Sequence, residues 1–128
     1  MDKPPSILAV TILTSLDDTS LSKELRTHNS VPSQVRHLAL LAKEAGLDGV
    51  VASPHEIEII KEACGDDFIV LTPGIRLPES STDDQKRITT PAQAIKKGAD
   101  YIVVGRPIYK SENPVETTLS IIKHIKGN

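Results

Sequence analysis

Four short apolar runs, at residues 7–14, 49–53, 68–72 and 101–104, recur along this chain between stretches that read as helices. The runs are rich in β-branched side chains and barely alternate with polar residues. That is how strands covered on both faces read, and such strands belong to parallel sheets. Each run stops at a small or polar residue, with Pro54, Pro73 or Gly105 following three of them. In a parallel sheet these polar ends gather on one side, which is the side where α/β folds bind ligands.

The intervening stretches carry helix signals. Asp17 or Asp18 can cap a short helix near 19–26, and residues 27–32 read as a loop ending at Pro32. Ser33 can cap a helix over 33–45, with Val35, Leu38, Leu41, Ala42 and Ala45 on one face and Gly46 closing it. Pro54 opens a helix to about 63 with Ile57 and Ile60 inward, and Gly65 stops it. Thr90 caps and Pro91 starts a helix to Lys97, closed by Gly98. Asn113-Pro114 begins a last helix to about 126, with Val115, Leu119, Ile122 and Ile125 assigned to its buried face. The order is β-α four times, with one extra helix after the first strand. Two architectures fit it: a small open sheet with helices on both faces, or half of an eight-stranded barrel with helices on one. The half barrel leaves an inner face and two strand edges uncovered, which favours association.

Composition narrows the function classes. A chain of 128 residues makes one domain the default. Its aromatic residues are Phe68, Tyr101 and Tyr109, so the core must be built from Ile, Leu, Val and Ala. The net charge of −2 is made of interspersed acids and bases. No basic stripe or aromatic platform suggests nucleic acid. The lone Cys64 precludes an intramolecular disulfide and fits a reducing compartment. The first residues lack the pattern of a signal peptide, and no apolar run approaches the ~20 residues of a membrane span. A soluble, cytoplasmic protein is expected.

The chemistry-bearing residues concentrate between Thr72 and Ile108. Thr72-Pro73-Gly74-Ile75-Arg76 follows the third strand and Gly105-Arg106-Pro107-Ile108 follows the fourth. Glycine lets backbone N–H groups approach an anion, and arginine adds a planar fork of donors. A single arginine is ordinarily a surface charge. Two beside glycines at successive strand ends point to anion binding, here a phosphate. The connection 73–89 is long for this position, as functional lids are. Within it, the Gln85 amide could reach a phosphate oxygen on closure, although spacing alone reads it as solvated. Thr14 and Ser15 could contact a heterocycle or simply cap a turn. His55 reads as a solvent-facing first-turn residue and Cys64 as packed. Asp83 and Asp84 read as solvated charges. His28, His37 and His124 have no metal-ligand spacing.

At these residues the chain resembles the C-terminal half of orotidine 5'-phosphate decarboxylase. The matching pieces are residues 9–15 (AVTILTS), 46–51 (GLDGVV), 72–76 (TPGIR), 84–87 (DQKR), Thr90-Pro91 and 99–108 (ADYIVVGRPI), in family order. The resemblance implies half of a TIM (β/α)8 barrel, with residues 1–128 as one domain holding its fifth to eighth strands. It implies Thr14 near the nucleotide base, the 5'-phosphate held by Arg76, Gln85, Gly105 and Arg106, and loop 73–89 closing over it. It implies no metal or organic cofactor.

The family's catalytic Asp-x-Lys-x-x-Asp cluster lies on earlier strands, and this sequence holds no match to it. Asp84-Gln85-Lys86 ends in Thr89 where the last acid should stand. No catalytic residue is therefore assigned, and the isolated chain is expected to be inactive unless an N-terminal half complements it. The expected ligand is a nucleotide monophosphate or phosphate, and the expected partner is a second copy or a separate N-terminal half. The alternative is a catalytically silent, self-associating half barrel or phosphate-binding module.

Overall fold

The computed structural model describes residues 3–77 and 89–127. The four apolar runs pair into one parallel sheet: β1 (Leu8–Val10), β2 (Gly49–Val51), β3 (Ile69–Thr72) and β4 (Tyr101–Ile102). Their spatial order is their chain order, β1-β2-β3-β4. A doubly wound sheet reverses direction at some strand, whereas consecutive parallel neighbours are how a barrel is wound. The helices are α1 (Asp18–Lys23), α2 (Val31–Glu44), α3 (Ile57–Cys64), α4 (Pro91–Lys97), α5 (Arg106–Tyr109) and α6 (Pro114–Ile125).

Register shows that, among the described residues, one sheet face is covered and the other is open. Ala9, Val50 and Val70 stand in one row across the strands. They join the core made with Ala39 and Ala42 of α2, Ile57 and Ile60 of α3 and Ala94 of α4. Side chains one residue further along point the opposite way. That row is Val10, Val51, Leu71 and Tyr101. Val10 and Tyr101, at its two ends, are 59% and 58% exposed. Val103 is also exposed, while Val51 and Leu71 are half-buried by their strand neighbours. The open-sheet alternative with helices on both faces is thereby set aside in favour of the half barrel.

The strand ladder runs past the nominal ends. Thr11 N–H donates to Val51 O at 3.2 Å, Ala52 N–H to Leu71 O at 3.1 Å and Val103 N–H to Thr72 O at 2.9 Å. At the opposite edge of the sheet the chain uses one device twice. Asp48, just before β2, accepts from Ile7 N–H at 2.7 Å through Oδ2. Asp100, just before β4, accepts from Val70 N–H at 2.9 Å and from Lys61 Nζ at 2.7 Å. Both aspartates follow a helix-ending glycine by two residues, Gly46 and Gly98, each with positive φ. Gly49 is required for close approach, because a Cβ there would meet the Ile69 carbonyl and lie 2.6 Å from Ile69 Cβ.

Several helix expectations are met. Asp17 caps α1, accepting from Ser20 N–H at 2.8 Å. Thr90 and Gln93 form a reciprocal capping box on α4. Others are corrected. Helix α2 starts at Val31 with Ser30 as its cap, so Pro32 sits in the first turn and Ser33 is inside the helix. Its buried face is Val35, Ala39 and Ala42, with Leu41 and Ala45 exposed. Pro54 opens a 3-10 turn over Pro54–Glu56 before α3 begins. Arg106–Tyr109 forms a short helix that the sequence pattern did not mark.

The face assigned to α6 is the largest correction. Its buried residue is Ile121, while Val115, Leu119 and Ile122 form an exposed stripe at helical spacing. The helix has two apolar sides, and among the described residues only one of them finds a neighbour.

Candidate functional site

The rim of the sheet is built from the segments that leave each strand. After β1 the chain passes exposed Thr14 and enters α1 through the Asp17 cap. The Ser20 N–H at this cap holds the Asp17 carboxyl below its ordinary range. After β3, Pro73-Gly74 turns the backbone, and Gly74 adopts φ +75°. A Cβ at Gly74 would sit 3.9 Å from Thr14 Cγ2 and 4.0 Å from Thr14 Oγ1. Strands two apart in a flat sheet lie about 9–10 Å apart. The segments leaving β1 and β3 therefore lean together over the end of β2.

Arg76 is half-buried just beyond this turn, anchored on one side by Ile75, which is fully inside the core. Its N–H donates to Thr89 O at 3.1 Å, and Thr89 is buried. The chain thus leaves and re-enters the described structure at one pinned point. Gln85, Asp83 and Asp84 lie outside the described residues. After the neighbouring strand β4, Gly105 precedes α5 and Arg106 is its exposed first residue. Pairing of Leu71 with Tyr101 and Thr72 with Ile102 makes the exits of β3 and β4 adjacent. Among the described residues the ion pair formed is Lys61–Asp100, and neither Arg76 nor Arg106 has a carboxylate partner.

The structure thus brings Thr14 beside Gly74 and sets the Arg76 and Gly105-Arg106 segments at adjoining strand ends. His55 is exposed, as expected. Cys64 is packed into the core, and burial pushes its thiol pKa up, against the pull of Lys43 and Arg36. Two buried polar side chains were not foreseen. Thr72 is 0% exposed and Glu56 is 7% exposed, and Thr72 Oγ1 and Glu56 Oε2 have no hydrogen-bond partner among the described residues. An acid after Ser-Pro-His reads as a solvated first-turn residue, so nothing local signals that Glu56 is enclosed.

The family model described as Orotidine 5'-phosphate decarboxylase / HUMPS family matches residues 2–121. The chain belongs to this family. It is 50% identical over 121 residues to an orotidine 5'-phosphate decarboxylase of Legionella pneumophila (strain Lens), covering 94% of this chain and 52% of that protein. Against the enzyme of that name from Geobacter sp. (strain M21) it is 54% identical over 121 residues, covering 94% and 50%. The crystal structure of orotidine 5'-phosphate decarboxylase from Lactobacillus acidophilus superposes with a TM-score of 0.80 at 40% identity, covering 94% of this chain and 49% of that one. The Pyrococcus horikoshii OT3 structure gives 0.69 at 26% identity. The chain spans about half the length of the relatives it matches. The sheet is accordingly half of a TIM (β/α)8 barrel, as its one-sided helix packing indicates.

Proposed function

We propose that this chain is the phosphate-holding half of an orotidine 5'-phosphate decarboxylase, corresponding to the fifth to eighth strands of the barrel. The observation that carries the reading is the rim itself. Two arginines without carboxylate partners among the described residues leave adjoining strand ends beside glycines, and the β1 and β3 exits lean together. In TIM barrels the loops after the last two strands are a frequent phosphate site.

On this reading Arg76 and Arg106 supply charge-assisted donors to the 5'-phosphate, Gly105 lets the backbone approach it, and Gln85 adds an amide. Thr14 contacts the nucleotide near its base. Phosphate binding energy, gained away from the reacting carbon, helps stabilise the transition state. Proton delivery to the carbon that loses carbon dioxide falls to a Lys/Asp cluster on another segment, a separate N-terminal half in the cytoplasm. The open sheet face is where such a segment, or a second copy of this chain, would pack.

Calorimetric titration with uridine monophosphate and with inorganic phosphate tests the site. A guanidinium–phosphate interaction is worth about 1.5–3 kcal/mol, so Arg106→Ala should weaken both ligands by roughly ten- to a hundredfold. Unchanged affinity in that variant would remove Arg106 from the site.

A further inference from the structure

Both layers of the half barrel stop at the same two places. The sheet ends at β1 on one side and at β4 on the other, and among the described residues neither strand has a further neighbour. Thr11 N–H donates to Val51 O, and Ile7 O accepts from Asp48 N–H, so residues 7, 9 and 11 address β2. Backbone groups alternate in direction along a strand, which turns the N–H and C=O of Leu8 and Val10 toward the free edge. The helix layer ends with the sheet. Helix α2, which joins β1 to β2, packs on α3 and β2, and α6, which follows β4, packs on α4 and α5. Each leaves apolar side chains outward: Leu41 on α2, and Val115, Leu119 and Ile122 on α6.

A free strand edge is a template for another strand, and every copy of this chain carries a matching one. Its β1 runs parallel to its β4. Set beside β4 of a second copy, that β1 extends the parallel series in the order already present and brings α2 of one copy next to α6 of the other. The exits of β1 and β3 lean together, so the sheet curves. Four of the eight strands of a TIM barrel carry the chain through half of its circumference. A second joint of the same kind therefore meets the first copy again, and the ring closes at two chains where a flat sheet would grow into a filament. Closure also covers Val10, Tyr101 and Val103 of both copies.

We infer that two copies of this chain close one eight-stranded barrel, with β4 of each paired to β1 of the other and α6 of each seated on α2 of the other. This closure rests on the half-barrel fold and not on phosphate binding at the rim.

Sedimentation velocity and amide hydrogen exchange on the full chain, across a dilution series, test the closure. Expected is a species of twice the chain mass and none larger, with the Leu8 and Val10 amides protected in it and unprotected in the diluted monomer. Val10→Pro removes one edge donor, keeps an apolar side chain and spares the β1–β2 bonds. Lost at both joints, that donor should weaken dimerisation by roughly tenfold. Leu119→Lys, on the exposed stripe of α6, should weaken it at least as much and serves if the first variant does not fold. The closure is overturned by assemblies larger than two chains, by Leu8 and Val10 amides that exchange alike in dimer and monomer, or by undiminished dimerisation in either folded variant. A wild-type chain that stays monomeric alone and pairs only with the N-terminal half of the Geobacter sp. (strain M21) relative also overturns it.

Discussion

At the scale of single residues, side chains that hold the fold separate from side chains left available. Asp17, Asp18, Asp48 and Asp100 all spend their carboxylates on backbone N–H groups. Thr72 is the opposite case, a buried hydroxyl in the third strand whose oxygen has no partner among the described residues. An unmet hydroxyl of this kind is a net cost, and an apolar group of the same shape removes it. Thr72→Val should stabilise the chain by about 1 kcal/mol. Thermal unfolding should then move up by about 3–5 °C, and a lowered midpoint would show that the hydroxyl is in fact satisfied.

At the scale of elements, the Lys61–Asp100 contact ties α3 to the start of β4 while Asp100 also bridges to β3. Lys61 Nζ further donates to Asp66 O at 2.9 Å and Phe68 O at 2.7 Å. Asp100→Ala leaves the Val70 N–H and the largely buried ammonium short of an acceptor. A loss of about 2 kcal/mol in urea unfolding is expected, discounted because Asp100 is itself partly exposed, and no loss would contradict the bridging role.

The elements also show what can be read from a sequence. Helix α4 was legible to the residue because its signals are local: Thr90 caps, Pro91 opens and Gly98 closes. The start of α2 was not, because Ser30 and Ser33 are both plausible caps, and the earlier one is favoured by Ser30 Oγ accepting from Ser33 N–H together with the Asp18 bond to Val31 N–H. The α6 face was misassigned because periodicity reports that a side is apolar and not whether a neighbour is present. At the site, the glycine–arginine pairs were visible as patterns. The meeting of Thr14 with Gly74 joins segments about 60 residues apart in sequence, and Glu56 is buried although its first-turn position reads as solvated. Neither leaves a local trace.

At the scale of the molecule, the dominant fact is apolar surface that the described residues leave without a cover. Val10, Tyr101 and Val103 lie along the open sheet face, and Val115, Leu119 and Ile122 along α6. Burying a large apolar side chain is worth about 1.5–3 kcal/mol, so these positions together favour any complementary surface strongly. Alone in solution the chain should self-associate, with a sedimentation coefficient that falls on dilution. Val10→Glu should shift that equilibrium toward monomer, and a concentration-independent monomer in the wild type would contradict the account.

The most direct measurement mixes this chain with the N-terminal half of the Geobacter sp. (strain M21) relative and follows orotidine monophosphate by its ultraviolet absorbance. Turnover is expected only when both polypeptides are present, and it should fall when the chain carries Arg106→Ala. Turnover by the chain alone, or silence at saturating partner in a complex shown to form, would contradict the assignment of this half as the phosphate-holding side of the barrel.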